Sequence, residues 1–169
     1  MLRNLLAYIF GSVLLFVIIP SAMFLVGMRY PYDFMPLGVS SSIFGGVCSA
    51  VGLFFVIWSN YELLTKGHGG AVVLGRLKLS HKTRHLVVTG PYAMCQNPMH
   101  MGIVLFYLGL SCAINSFITL LFPLLFLLFA CLMAVFVEEP RLKRDFPVEY
   151  EQWRQAVPQR FWPKPKKSQ

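Results

Sequence analysis

The polar chemistry of this chain is concentrated in two places. One is the turn Val87-Val88-Thr89-Gly90-Pro91-Tyr92-Ala93-Met94-Cys95-Gln96-Asn97-Pro98-Met99-His100-Met101-Gly102. The other is the acidic pair Glu138-Glu139, followed by Pro140. The turn offers backbone amides together with Tyr92, Gln96, Asn97 and His100. The pair offers carboxylates, which are costly at a membrane edge and usually paired or functional there. Placed face to face, the two would form one pocket with hydrogen-bonding groups on one wall and negative charge on the other. At the C-terminal end of a helix a carboxylate is disfavoured by the helix dipole. The pair is therefore either solvated and matched to Arg141, Lys143 or Arg144, or held ready for a ligand.

An apolar hairpin supplies the positioning. Residues 102–137 carry no charge. As one straight helix, a run of this length would reach about 54 Å, too long for a hydrocarbon core of roughly 30 Å. Asn115-Ser116 breaks it, with either residue suited to cap the next helix. The expected helices are residues 98–114, begun by Pro98, and 117–137, bent by Pro123. A hairpin returns to its starting side, so turn and acids meet although about 40 residues apart in the chain.

The remaining windows agree with a bilayer. The chain has 169 residues, of which 56% are hydrophobic and 13% charged. A soluble domain carries about a quarter charged residues. Residues 5–28 and 37–61 are long apolar stretches of spanning length. Pro20 is expected to kink the first, with a neighbouring helix satisfying the freed carbonyl. The second helix, residues 39–64, carries the small residues Ser40, Ser41, Ser42, Gly45, Gly46, Ser49, Ala50 and Gly52, suited to close packing on a neighbour. Residues 150–157 read as a short amphipathic helix stopped by Pro158. The expected fold is an all-α integral membrane protein with four transmembrane helices, a cytosolic basic loop and a short helical C-terminal tail. Its divisions are an N-terminal helix pair at 1–64, a cytosolic loop with the polar turn at 65–97, the hairpin at 98–137, and the acidic pair with the amphipathic tail at 138–169.

The net charge of +8 does not point to nucleic acid. Four spans with both termini cytoplasmic place every basic residue except Arg29 on one side, as the positive-inside bias requires. Membrane lipids are the expected surroundings. Cys48, Cys95, Cys112 and Cys131 form no CxxC pair and read as small buried hydrophobes. His81 and His85 are four apart but lack acidic or sulfur neighbours, so no metal site is expected.

The run Leu86-Val87-Val88-Thr89-Gly90-Pro91-Tyr92, then Asn97-Pro98-Met99 and Gly102, resembles the isoprenylcysteine carboxyl methyltransferase family of integral membrane enzymes. The family's Arg-His-Pro-x-Tyr-x-Gly motif falls on residues 96–102, its acidic pair on Glu138-Glu139, and its tail pattern on Phe146, Tyr150, Trp153-Arg154 and Val157-Pro158. Phospholipid N-methyltransferases are similar in layout. The resemblance implies S-adenosylmethionine, with His85, Leu86, Val87, Tyr92, Gln96, Asn97, Pro98, Met99, His100, Glu138 and Glu139 as cofactor-binding residues. It implies catalytic roles for Asn97 and Glu138, and substrate or lid roles for Tyr150, Trp153 and Arg154. It further implies in-line methyl transfer to a small or lipid-like acceptor, where positioning supplies most of the rate. Gln96, Asn97 and His100 stand where the family has Arg, His and Tyr. Ala134 replaces an Arg of prenylcysteine-specific members, which argues against a prenylcysteine carboxylate as acceptor. The competing readings are a non-enzymatic membrane scaffold, an inactive methyltransferase relative and, last, a membrane reductase, which would need a phosphate-binding glycine loop that is not seen.

Overall fold

A computed structural model describes residues 2–34, 39–67 and 85–162. Most of the basic loop, with Arg76, Lys78, His81, Lys82 and Arg84, lies outside the described residues, as does the basic end Lys164–Lys167. The described chain is helical throughout, without strands. Helix α1 is built from Leu2–Val13, a π-helical stretch Leu14–Ile18 and Ile19–Arg29; α2 is Val39–Thr65 and α3 is Pro98–Ile114. Helix α4 begins with a 3₁₀ turn, Phe117–Leu120, and continues as Leu121–Met133, a π-helical stretch Ala134–Glu138 and Glu139–Asp145. Helix α5 is Pro147–Ala156.

Three of these helices are long and apolar enough to cross a bilayer: Ile9–Arg29, Ser41–Thr65 and Phe117–Asp145. The fourth expected span, α3, is apolar but has only 17 residues. At 1.5 Å per residue it measures about 26 Å, short of a roughly 30 Å core. Its 17 residues stand at the lower end of what crosses a bilayer, and the helix is also the centre of the fold. Met101, Gly102, Ile103, Val104, Tyr107 and Ser111 are all buried, while α1, α2 and α4 carry exposed large side chains such as Phe10, Phe44, Leu125 and Phe136. So much exposed apolar surface suits lipid rather than water.

Close backbone contact joins α2 to α3. A Cβ added to Gly45 would lie 2.5 Å from Ala113 N and 2.6 Å from Gly109 O, and one added to Gly102 would lie 2.7 Å from Gly52 O. Between these contacts the Ser49 hydroxyl donates to Phe106 O at 3.2 Å. Small residues thus bring the two helices together antiparallel, as expected in lipid. The hairpin turns at Asn115, whose φ of 53° is left-handed. It ends α3 as a C-terminal cap rather than opening the next helix. Ser116 occupies the N-cap position but makes no cap bond; its hydroxyl donates to Tyr30 O at 2.6 Å and ties the turn to the end of α1.

Both π-helical stretches end one residue before a proline pair position, at Ile19-Pro20 and Glu139-Pro140. In the first, Ile19 N–H bonds Leu14 O, five residues back. Continuing that pattern would need an N–H at Pro20 for Leu15 O, and proline has none. The Tyr107 hydroxyl fills the gap, donating to Leu15 O at 2.9 Å. Tyr107→Phe should therefore leave a carbonyl unpaired in the core and cost about 1–3 kcal/mol, read as a lower unfolding midpoint in detergent.

The second stretch corrects the boundary expected for α4. The helix does not stop at residue 137; it runs through the acidic pair to Asp145. The C-terminal dipole argument therefore does not apply to Glu138 and Glu139, and Arg141 sits on the same helix one turn beyond Glu138.

Candidate active site

The polar turn is anchored before it reaches the hairpin. Lys66 pairs with Glu62 at 2.9 Å, Thr89 Oγ1 donates to Glu62 Oε2 at 2.8 Å, and Lys66 Nζ donates to Thr89 Oγ1 at 2.8 Å. Gly90 lies next to this knot with a φ of 60°, and a Cβ there would be 2.8 Å from Glu62 Cδ. Only glycine meets both conditions. A short 3₁₀ turn, Gly90–Ala93, follows.

Gln96 and Asn97 are gripped by the tail. Their backbone N–H groups donate to Gln159 O and Arg160 O, both at 2.8 Å. Their side-chain amides donate to Val157 O at 2.7 Å and Arg160 O at 3.1 Å. Trp153 Nε1 donates to Tyr92 O at 2.9 Å. Tyr150, Trp153 and Val157 pack with Leu86, Tyr92, Leu142 and Phe146 into one cluster. The tail thus straps the turn to the end of α4, where Arg160 pairs with Glu139 at 3.0 Å. Cys95 is buried beneath the turn, and burial pushes its thiol up to about 11, so it carries no thiolate at neutral pH.

A cavity lies between the turn and α4. The turn side contributes His85, Leu86, Val87 and Tyr92, then Gln96, Asn97, Pro98, Met99 and His100. Across from it stand Glu138 on α4 and Trp153 on α5. Eleven of the expected site residues therefore share one wall-to-wall space. Glu139, Tyr150 and Arg154 do not line it. Glu139 is turned to Arg160, and Tyr150 is fully buried with its hydroxyl unpartnered among the described residues. Burial first, and then the Glu139 charge, hold the Tyr150 phenol above its ordinary range.

Leu63, Arg141 and Leu142 also line the cavity and were not expected there. Arg141 and Leu142 lie beyond the helix end expected at residue 137 and stand on the continuing helix. The three-residue spacing of Glu138 and Arg141, which places them on one helical face, was the available signal. Neither side chain has an ion pair or hydrogen bond among the described residues. No group of three His, Cys, Asp or Glu that could hold a metal occurs among the described residues.

The cavity is narrow, about 80 Å³, below the roughly 300–1,000 Å³ of ligand sites. It adjoins an open groove of about 650 Å³. His85, Leu86 and Trp153 border both.

No curated protein and no solved structure matches the chain. A family model described as phospholipid methyltransferase matches residues 40–149, close to two thirds of the 169 residues. That stretch holds α2, the polar turn, the hairpin and the acidic pair. The match supports the membrane methyltransferases broadly, and not the narrower isoprenylcysteine carboxyl methyltransferase group. With three apolar helices of spanning length around a central shorter one, this chain belongs to the phospholipid methyltransferase family of membrane proteins.

Proposed function

We propose that this chain is an S-adenosylmethionine-dependent methyltransferase acting on a lipid-like acceptor, with Glu138 and Arg141 holding the amino-acid end of the methyl donor. One observation carries the reading. A carboxylate and a guanidinium stand one helical turn apart on the cavity wall, each without a partner among the described residues. Charges at a partly buried surface are normally paired. A zwitterionic ligand satisfies both at once: its ammonium meets Glu138 and its carboxylate meets Arg141, the side chain best shaped for that group.

Gln96 and Asn97 serve the same site with what the tail leaves them, a side-chain carbonyl and one amide hydrogen each. Tyr92 and Trp153 supply flat apolar surface for a purine. The cavity alone is small, so the ligand draws room from the adjoining groove across Leu86 and Trp153. The donor supplies a sulfonium methyl group, and its transfer is a direct displacement in which the protein's task is alignment and exclusion of water. Both termini and the site lie on the cytosolic side in this reading, which the one-sided basic charge supports.

Calorimetric titration of the purified chain in detergent tests it. Saturable heat with S-adenosylmethionine and with its demethylated product is expected, and transfer of a labelled methyl group to membrane phospholipid should accompany it. No saturable heat with either compound would favour the non-enzymatic scaffold instead.

A further inference from the structure

In the reading above, the cavity residue His100 has no part in holding the donor. His100 lies on the first turn of α3 and is half-buried. Its ring centroid is 6.3 Å from that of Phe126 on α4. Phe126 packs against the core cluster of Met23, Val56, Ile103 and Tyr107. The imidazole, like Met99, therefore lies on the side of the cavity that faces this core cluster. Among the described residues it makes no hydrogen bond or ion pair.

We infer that His100 is a catalytic residue that accepts the proton of a lipid ammonium and so frees the nitrogen for methylation; this rests on the donor reading above. An alkyl ammonium titrates near 10, like a lysine side chain. At neutral pH its nitrogen has no lone pair to attack with, so a base must act first. The other charged or titratable groups on the cavity wall are poorly suited. Arg141 is a guanidinium with no acceptor to offer, Glu138 is given to the donor's ammonium in this reading, and His85 and Tyr92 are already engaged. A neutral imidazole carries one ring nitrogen that can accept a proton, the part a general base plays. Its position beside Phe126 meets an acceptor arriving from the lipid.

The step balances. The ammonium N–H bond breaks, and the proton passes to an imidazole ring nitrogen. The freed nitrogen pair forms the new N–CH₃ bond as the C–S bond breaks, its electrons returning to sulfur as a neutral thioether. The methylated nitrogen keeps the positive charge, and His100 later releases its proton to water.

The test uses the full chain in bilayers containing phosphatidylethanolamine. Diethyl pyrocarbonate should modify His100, as read by mass spectrometry, and the aminophospholipid should protect it compared with phosphatidylcholine bilayers. H100Q and H100A should bind S-adenosylmethionine like the unmodified chain yet transfer methyl roughly 10²- to 10⁴-fold more slowly at pH 7. The deficit should shrink as pH rises toward 9–10, values near the amine's own, and added imidazole should restore part of the H100A rate. An unchanged rate and pH profile in H100Q would overturn the inference, as would a loss that neither pH nor imidazole relieves. Donor binding by the unmodified chain with no transfer to the aminophospholipid would overturn it while sparing the donor site. Absence of donor binding would overturn both.

Discussion

Glu138→Gln should weaken S-adenosylmethionine binding by about 2–5 kcal/mol, roughly 30-fold to several thousandfold in dissociation constant. The change keeps the shape of the side chain and removes its charge. A donor ammonium would then sit beside a neutral amide while Arg141 still holds the other end. Arg141→Gln should show a loss of the same kind, because a desolvated carboxylate loses its partner. Glu139→Gln is the sharp control. Glu139 is next in sequence, yet it pairs with Arg160 and lies off the cavity wall. Its neutralisation should leave donor affinity within a few-fold and instead loosen the tail, read as faster proteolysis near residues 157–162. Titration calorimetry on the three variants decides the matter. Equal losses for Glu138→Gln and Glu139→Gln would sink the assignment, since the geometry predicts separate fates for two adjacent carboxylates.

Gly109→Ala should be among the most damaging single methyl groups that the described glycines can take. An added Cβ would press into the Ser49 backbone nitrogen and hydroxyl and lie 2.6 Å from Gly45 O. Those are backbone and short side-chain atoms that cannot swing aside. Overpacking of this kind costs roughly 1–3 kcal/mol and occasionally more, and rigid neighbours place this case at the upper end. For a chain of this size that is a fall of roughly 6–12 °C in unfolding midpoint. Gly46→Ala makes the comparison fair. It puts the same methyl on α2, one residue from Gly45, where a Cβ meets nothing within 4 Å. It should leave the midpoint unchanged or slightly raised, because alanine favours the helix. Thermal unfolding of both in detergent is the measurement. The packing account fails if the two variants melt together.

The hairpin was legible because its signals are local. A long uncharged run, a polar break at Asn115-Ser116 and a proline at residue 98 place α3 at its observed ends. The small residues of α2 were legible for the same reason, since glycine and serine in an apolar window have few uses other than close packing. The cluster of Tyr150, Trp153 and Val157 followed from apolar spacing, although α5 starts earlier than that spacing indicates, at Pro147. What the sequence concealed was the continuation of α4. Pro140 reads as a stop, yet proline is tolerated in the first turn after a widened stretch of helix. That one boundary hid Arg141. The grip of residues 157–160 on Gln96 and Asn97 was hidden too, because carbonyl acceptors have no side-chain signature.

The strap also has a consequence for how the protein is made. Gln96 donates its amide hydrogen to a carbonyl 61 residues downstream, and Asn97 to one 63 residues downstream. A ribosome delivers the turn long before it delivers the strap. The helices can enter the lipid and pair by their glycines while the turn still lies open to water. The binding niche is therefore finished last, after insertion is over. A nascent chain halted near residue 150 would be seated in the bilayer with its polar turn still unstrapped.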